Sequence, residues 1–181
     1  RRRLCVSKGT EKSMLTVEQV ETFNTDGYLS VDSVLSLEEL DELRRVTGEF
    51  VEQSRNVTEN DATFDLEPGH TAESPQLRRI IRPVSKHPVY EKFVRHEDIL
   101  DIVESLLGPN LRYHNNKMNM KNPGHGSAVE WHQDWAFYPH TNDDLLEVGI
   151  ALDDMTEENG ALMVIPGSHK DKIWDHHQDG L

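Results

Sequence analysis

The hydrophobic pattern of the chain changes its period at Gly108-Pro109, and this change limits the possible folds more than any other feature. Before that point, apolar residues recur every three or four positions, and two capping boxes mark helix starts. The pattern predicts four helices, at 16–27, 36–53, 88–95 and 97–107. Between them, the sequence predicts a short strand at 28–34 and a long polar loop at 56–74.

After residue 110, apolar and polar residues alternate, which is typical of strands with one buried face. The predicted strands are 111–121, 128–134, 146–153 and 161–165. Helices followed by strands predict an α+β, mainly β domain, in which N-terminal helices pack on an antiparallel sheet or barrel. We therefore assign 14–181 to one domain, with a helical part over 14–108 and barrel strands over 111–181.

The first thirteen residues differ from the rest of the chain. They hold five basic residues and one acid, and they lack the apolar stretch of a signal peptide. Met14 opens the first well-patterned segment. We therefore predict that residues 1–13 form a disordered basic tail outside the domain.

Charge and cysteine content restrict the partners and the compartment. The formal net charge of −14 argues against a nucleic-acid groove or an anionic membrane surface, and no apolar run approaches the ~18 residues of a membrane span. Cys5 is the only cysteine, so the sequence allows no internal disulfide. This suits a reducing compartment, and we expect a cytoplasmic protein that binds neither nucleic acid nor membrane.

The triplet His-Gln-Asp at 132–134 ends the second predicted strand. Side chains two apart on a strand share a face, so His132 and Asp134 should point the same way, with Glu130 beside them. An imidazole and a carboxylate side by side make two-thirds of the 2-His-1-carboxylate triad that binds Fe(II). The alternative is a hydrogen-bonded His–Asp pair without a metal, and the spacing alone leaves both interpretations open.

Four segments resemble the phytanoyl-CoA dioxygenase family of Fe(II)/2-oxoglutarate oxygenases. Two of them are WHQDWAFYPHTND at 131–143 and TEENGALMVIPGSHK at 156–170. The others are LTVEQVETFNTDGYLSVDSVLSLEELDELR at 15–44, similar to the family's opening helix–strand–helix, and MKNPGHGSAVEWHQD at 120–134, similar to its approach to the metal motif. Together these segments extend over most of residues 14–180.

The resemblance implies a double-stranded β-helix, the cupin-like jelly roll, with the N-terminal helices packed on it. It implies that His132 and Asp134 are catalytic iron ligands. It also implies that Gln133 and Lys117 lie near the 2-oxoglutarate pocket, where an ammonium could neutralise a carboxylate. In the family, a second histidine and a basic 2-oxoglutarate anchor come from later strands, so we expect both beyond Leu181. We expect the chain to be incomplete, since about four barrel strands can be counted and a jelly roll takes about eight.

The implied function is an Fe(II)-, 2-oxoglutarate- and O2-dependent dioxygenase that hydroxylates a small organic substrate, with succinate and CO2 as co-products. The carboxylate of Asp134 favours hydroxylation, because related halogenases lack it. Two alternatives stay open: a cupin-like isomerase or hydrolase using Zn or Mn, and a non-catalytic jelly-roll module that binds a ligand or partner. Fold analogy gives no acyl-CoA specificity. The candidates for a CoA phosphate are expected to be solvated loop charges: Arg78, Arg79 and Arg82.

The remaining histidines and aromatic residues have simpler interpretations. We expect His169 to cap or hydrogen-bond in a loop, and HHQD at 176–179 to be a polar loop near the barrel mouth. His114 is expected on a strand, and Tyr138 is equally compatible with a core and with a substrate channel. Core positions are expected for Trp131, Trp135 and Phe137. Solvated positions are expected for His70, His87, His96, His125 and His140.

Overall fold

The computed structural model describes residues 14–124 and 126–176. The predicted tail, residues 1–13, lies outside that range. No helix in the described residues combines the length and apolarity that crossing a membrane requires. The elements, in chain order, are α1 Val17–Asp26, α2 Leu37–Ser54, β1 Phe64–Leu66, β2 Leu77–Ile81, α3 Pro88–Val94, α4 Glu97–Leu107, β3 Lys117–Asn119 and α5 Asp134–Phe137. Short 3-10 turns lie at Pro83–Ser85, Glu157–Asn159 and Ser168–Lys170.

The four predicted helices are confirmed, and local signals set their ends. At the start of α1, the Thr16 hydroxyl accepts from the Gln19 N–H at 3.2 Å, and the Gln19 side chain accepts from the Thr16 N–H at 2.9 Å. Ser36 and Glu39 form the same capping box at α2. These reciprocal bonds satisfy N–H groups that a helix start leaves free. Gly27 ends α1 in the left-handed conformation, at φ +82°.

The hydrophobic core lies between α2, α3 and the sheet. Val46 of α2 and Ile80 of β2 are fully buried, and Leu77 is 1% exposed. Thr47 and Tyr90 share a buried hydrogen bond of 2.9 Å, so neither hydroxyl lacks a partner. The other buried apolar residues are Leu43, Phe50, Phe64, Val89 and Phe93.

The three strands form one antiparallel sheet in the order β1-β2-β3. Phe64 of β1 pairs with Ile80, which pairs on its other side with Met118 of β3. Ile81 pairs with Lys117. The register therefore places Lys117 at the end of the β2–β3 ladder.

Most of the predicted strands are wrong for the described residues. Only 117–119 of the predicted strand 111–121 is paired, and no strand forms at 28–34, 128–134, 146–153 or 161–165. Alternation shows which side chains could share a buried face, but a strand also needs a neighbour that takes its backbone hydrogen bonds. The described residues give these segments no such neighbour, and Leu162 is 77% exposed. The described sheet has three strands, and the expected jelly roll is not confirmed by it.

The sequence pattern missed β1 and β2, which lie in the predicted loop 56–74 and in the part expected to be helical. β1 has three residues, and a register shift between Asp65 and Leu66 interrupts its ladder, so alternation cannot be seen in it. Arg78 and Arg79 belong to β2 and not to a solvated loop. The Arg79 side chain forms an ion pair with Asp65 at 2.8 Å.

Three histidines expected to be solvated are half-buried and bonded. His70 Nδ1 accepts from the Gln76 N–H at 3.0 Å, so its Nε2–H faces two carbonyl oxygens near the end of α2, each at 3.1 Å. His87 accepts from the Val89 N–H at the start of α3, at 3.2 Å. The ring of His96 stacks on Phe93 and lies 3.5 Å from a carboxylate of α2. The prediction failed because these rings satisfy backbone groups and charges that hydrophobic patterns do not reveal.

Residues 165–170 close over the end of α1. The Gly167 N–H donates to the Asp26 carbonyl at 2.7 Å, and the His169 ring nitrogen Nε2 donates to the Asn24 carbonyl at 3.2 Å. The His169 ring also lies so close to Gly27 that a Cβ there would overlap it. The prediction that His169 hydrogen-bonds in a loop is confirmed, and its partner is a helix C-terminus.

Glu67 is a buried carboxylate that fixes the segment leading to the His-Gln-Asp triplet. It is 5% exposed, and its carboxylate accepts from both the backbone N–H and the hydroxyl of Ser127. Burial acts to raise the pKa of Glu67, but the Ser127 hydrogen bonds and the charges of Arg78 and Lys121 outweigh it and lower the pKa below its ordinary value of 4.5.

The Glu67→Gln substitution is expected to lower the free energy of unfolding by about 1–3 kcal/mol, because the amide cannot accept both Ser127 bonds as a charged group does. Since the folded pKa is lowered, the stabilisation from Glu67 is present above the ordinary pKa of 4.5 and is lost as the pH falls through the folded value. Urea unfolding at several pH values should therefore show a smaller loss of stability on acidification in the variant. The exposed Glu59→Gln substitution is the control, and parallel pH curves for wild type and Glu67→Gln would contradict the assignment.

Candidate metal centre

His132 and Asp134 lie side by side as predicted, but a strand does not bring them together. Residues 128–133 are unpaired among the described residues, and Asp134 begins α5, a helix of four residues. His132 Nε2 is 3.4 Å from Asp134 Oδ1. The turn into α5 creates this approach, and Glu130 contributes its backbone carbonyl at the site and not its carboxylate.

The hydrogen bond of His132 Nδ1 leaves the other ring nitrogen, Nε2, available to a cation. Nδ1 is 2.7 Å from the Glu130 carbonyl oxygen, which can only accept, so Nδ1 bears a hydrogen. In the neutral ring, Nε2 then directs a lone pair toward the Asp134 carboxylate, and two acceptors face each other. A proton on Nε2 or a metal ion held by both groups removes this repulsion, and histidine ligands of metals commonly donate their other N–H to a carbonyl. One imidazole nitrogen and one carboxylate oxygen suit Fe(II).

Lys117 reaches the same place from the end of β3. Its Nζ is 3.9 Å from Asp134 Oδ1, and both side chains are about one-quarter exposed, at 26%. An ammonium in this position adds a positive charge beside the carboxylate and can attract a second anion. Three of the four predicted site residues therefore come together.

Gln133, the fourth, is directed to a different part of the chain. Its side-chain Nε2 donates to the Lys172 carbonyl at 3.3 Å, and its Oε1 accepts from the Trp174 N–H at 2.8 Å. Its backbone N–H donates to His176 Nε2 at 3.1 Å. Gln133 thus ties residues 172–176 to the turn between His132 and Asp134.

The second His-Gln-Asp repeat begins at His177, which lies outside the described residues together with Asp179. His176 is described, and its ring stacks on Phe137 with centroids 5.9 Å apart. Because His176 Nε2 accepts from a backbone N–H of the site turn, this ring supports the turn. Among the described residues, no three His, Cys, Asp or Glu side chains are grouped so that they could hold a metal ion.

Glu147 is a neighbour of this cluster that was not among the predicted site residues. Although Glu147 has exposed surface, partial burial of its carboxyl raises its pKa, and the charge of Asp134 raises it further. Lys117 and His132 oppose this shift in pKa. The alternation of 146–153 gave the available signal, because it separates Glu147 from the apolar residues of that segment.

The aromatic residues near the site are less buried than expected. Trp131 is 56% exposed and Phe137 is about half exposed, so the core positions predicted for them are wrong. Trp135 is half-buried, and its indole N–H donates to the Asn142 carbonyl at 3.0 Å. Trp131 precedes α5, and Trp135 and Phe137 belong to it. Their side chains therefore do not alternate between two faces as they would on the predicted strand.

His114 and Tyr138 meet next to the candidate centre. Their ring centroids are 5.4 Å apart, and the rings of His114 and His140 are 5.0 Å apart. His114 precedes β3, so the prediction that it lies on a strand is wrong. His140 is exposed outside the helices and strands, as predicted, and its ring contacts that of His114. This small ring cluster joins the approach to β3 with the end of α5.

Residues 23–180 match the phytanoyl-CoA dioxygenase (PhyH) family. The chain is 40% identical over 159 residues to a probable alpha-ketoglutarate-dependent hypophosphite dioxygenase of Stutzerimonas stutzeri, covering 88% of this chain and 55% of that protein. It is 34% identical over 151 residues to an L-proline trans-4-hydroxylase of Streptomyces griseoviridis, covering 81% and 52%.

The chain is also similar in fold to solved structures. A crystal structure of EctD from S. alaskensis with bound Fe is similar with a TM-score of 0.59 at 21% identity, covering 73% of this chain and 44% of that one. The chain spans about half the length of the curated relatives it matches. From the extent of the family match and the identity to the hypophosphite dioxygenase, the chain belongs to the phytanoyl-CoA dioxygenase family.

Proposed function

We propose that the protein is an Fe(II)- and 2-oxoglutarate-dependent dioxygenase that hydroxylates a small organic substrate. The observation that supports it most directly is the approach of His132 Nε2 to Asp134 Oδ1, at 3.4 Å. The relative named as an alpha-ketoglutarate-dependent hypophosphite dioxygenase supports the cosubstrate, and the EctD structure with bound Fe supports the choice of metal. A jelly-roll barrel in the whole protein follows from the same family membership and is part of the proposal.

In the proposed site, His132 and Asp134 hold the iron, which when bound supplies activation of dioxygen coupled to oxidative decarboxylation of 2-oxoglutarate. Lys117 places a positive charge where the dianionic cosubstrate enters. Gln133 orients the turn between the two ligands through its bonds to residues 172–176. The overall reaction consumes 2-oxoglutarate, dioxygen and a substrate R–H, and it yields succinate, CO2 and R–OH.

A second candidate substrate is hypophosphite, which the relative at 40% identity is named for. The same stoichiometry then inserts oxygen into a P–H bond and yields phosphite. Other relatives are named for ectoine and L-proline. These three substrates are small, and each bears an anionic group.

The test uses the protein in its full natural length, reconstituted with Fe(II) without oxygen and then supplied with 2-oxoglutarate and air. Succinate is measured with hypophosphite, L-proline or ectoine present, and 31P and 1H NMR identify the oxidised product. We expect succinate formation well above the background of free Fe(II), with an equal amount of oxidised product. Turnover with Zn or Mn and without 2-oxoglutarate would favour a cupin-like isomerase or hydrolase. Ligand binding with no turnover under any metal would favour a binding module.

A further inference from the structure

A cavity of about 480 Å³ lies next to the candidate metal centre. This volume is in the range that small-molecule sites occupy, roughly 300–1,000 Å³. Tyr138, in its wall, follows α5 directly, and its backbone N–H donates to the carbonyl of Asp134 at 3.0 Å. Asn116, which also lines the cavity, precedes Lys117 in sequence. The cavity and the candidate centre are therefore built from the same two segments.

Arg82 is the only arginine or lysine among the residues that line this cavity, and no carboxylate lines it. That is unusual for a chain with a formal net charge of −14. Arg82 forms no ion pair with the described residues, although nine other pairs of cationic and acidic residues there lie within 4 Å, such as Arg79 with Asp65. Arg82 is exposed, and a guanidinium without a carboxylate partner in a concave surface can pair with an anion.

The backbone holds Arg82 in this place at a cost. Arg82 has φ +50° and ψ +52°, a left-handed conformation that is strained for a residue with a Cβ. Its carbonyl accepts from both the backbone N–H and the hydroxyl of Ser85, which stabilises the turn. Since Ile81 pairs with Lys117, the position after Ile81 lies opposite Asn116. The strained turn thus begins where the β2–β3 ladder ends, at the mouth of the cavity.

The other polar groups of the cavity complement an anion as well. The Asn116 side-chain oxygen accepts from the Val84 N–H at 2.9 Å, so the group it has left to offer is its NH2 donor. Tyr113 adds a hydroxyl group to the lining. His114 and Tyr138 pack edge to face and form an aromatic wall on the side of the metal centre.

We propose that this cavity binds the anionic group of the substrate, a carboxylate or a small oxyanion, with Arg82 as its counter-charge. The proposal rests on the function proposed above, because it places a substrate beside the metal site. The anion is held at Arg82 and Asn116, and the rest of the molecule extends past Tyr138 toward His132 and Asp134. The same chemistry could come from a carboxylate of 2-oxoglutarate, and the experiment separates these two sources.

The experiment titrates metal-free, full-length protein with hypophosphite and with L-proline by calorimetry. We expect Arg82→Gln to weaken binding of the accepted probe roughly tenfold or more, because a charge-assisted hydrogen bond is lost. Arg112→Gln removes the same charge from an exposed position outside the cavity and should change the affinity less than about twofold. Asn116→Asp keeps the hydrogen bond to the Val84 N–H but adds a negative charge to the cavity. It should therefore also lower the affinity for the probe. This second variant tests the proposal even if the Arg82 variant does not fold.

The affinity for 2-oxoglutarate is measured separately, by the visible band of its Fe(II) complex without oxygen. We expect Arg82→Gln to leave that affinity and Fe(II) binding unchanged. Weaker 2-oxoglutarate binding with unchanged probe binding would assign the cavity to the cosubstrate and overturn the proposal. Equal effects of Arg112→Gln and Arg82→Gln, or no binding of either probe to the wild type, would overturn it too. If the wild-type protein did not bind Fe(II), that result would contradict the proposed function, whether or not hypophosphite or L-proline binds.

Discussion

Replacing His132 and Asp134 together by alanine is expected to lower Fe(II) affinity roughly a hundredfold or more, about 2.7 kcal/mol, and to abolish succinate formation. The reason is that the two groups lie 3.4 Å apart and the Glu130 carbonyl already fixes the tautomer that leaves Nε2 available. Anaerobic titration with Fe(II) and 2-oxoglutarate should give the weak visible band of the chelate in the wild type and not in the variant.

The repeat at 177–179 supplies the matched control for this experiment. His177→Ala with Asp179→Ala removes the same two side-chain types from the same sequence triplet. We expect its Fe(II) affinity to stay within a few-fold of the wild type. If the band and turnover survived in the His132, Asp134 variant and failed in the control, the second repeat would be the metal site.

The Leu77→Ala substitution is expected to lower the free energy of unfolding by about 2–5 kcal/mol. Leu77 is 1% exposed and belongs to β2, the central strand, so truncation leaves a cavity between the sheet and the helices. Urea unfolding followed by circular dichroism measures the change, and an unchanged dependence on urea concentration would show that the compactness of the two states is kept.

Leu37→Ala is the control for that substitution, because it removes the same atoms from a side chain that is 80% exposed at the start of α2. Its effect should stay within about 0.5 kcal/mol, as alanine also suits a helix. Equal destabilisation by the two substitutions would show that the described core does not hold the domain together.

The helices could be predicted because their signals are local. Helix starts are marked by the capping boxes Thr16–Gln19 and Ser36–Glu39. Helix ends are marked by Gly27 and Gly108. The strands could not be predicted in the same way, since pairing depends on residues far away in sequence. The segment 146–153 alternates well yet pairs with nothing in the described residues, whereas the three residues of β1 pair without any visible pattern.

The spacing of the site residues predicted that His132 and Asp134 are neighbours, which is correct, but it predicted the wrong backbone conformation for them. Spacing of two placed His132 beside Asp134 on a strand, and the start of α5 gives the same proximity. The approach of Lys117 followed only from family resemblance, because sheet register brings β3 there. The sequence offered Arg82 only as a candidate for a CoA phosphate and favoured a solvated loop charge, since its left-handed φ and its lack of an ion pair with the described residues are properties of the folded chain.

The bonds between residues 165–170 and α1 have a consequence for synthesis on the ribosome. The Asn24–His169 contact joins positions 145 apart, and α1 has no buried residue of its own to hold it earlier. Chains emerge N-terminus first, so α1 is made first but gains these partners only after almost all the described residues have followed. Because closing so long a loop costs entropy before the contact forms, α1 should dock in a late and slow step. A nascent chain that ends before His169 would keep the last carbonyls of α1 open to water or to a chaperone.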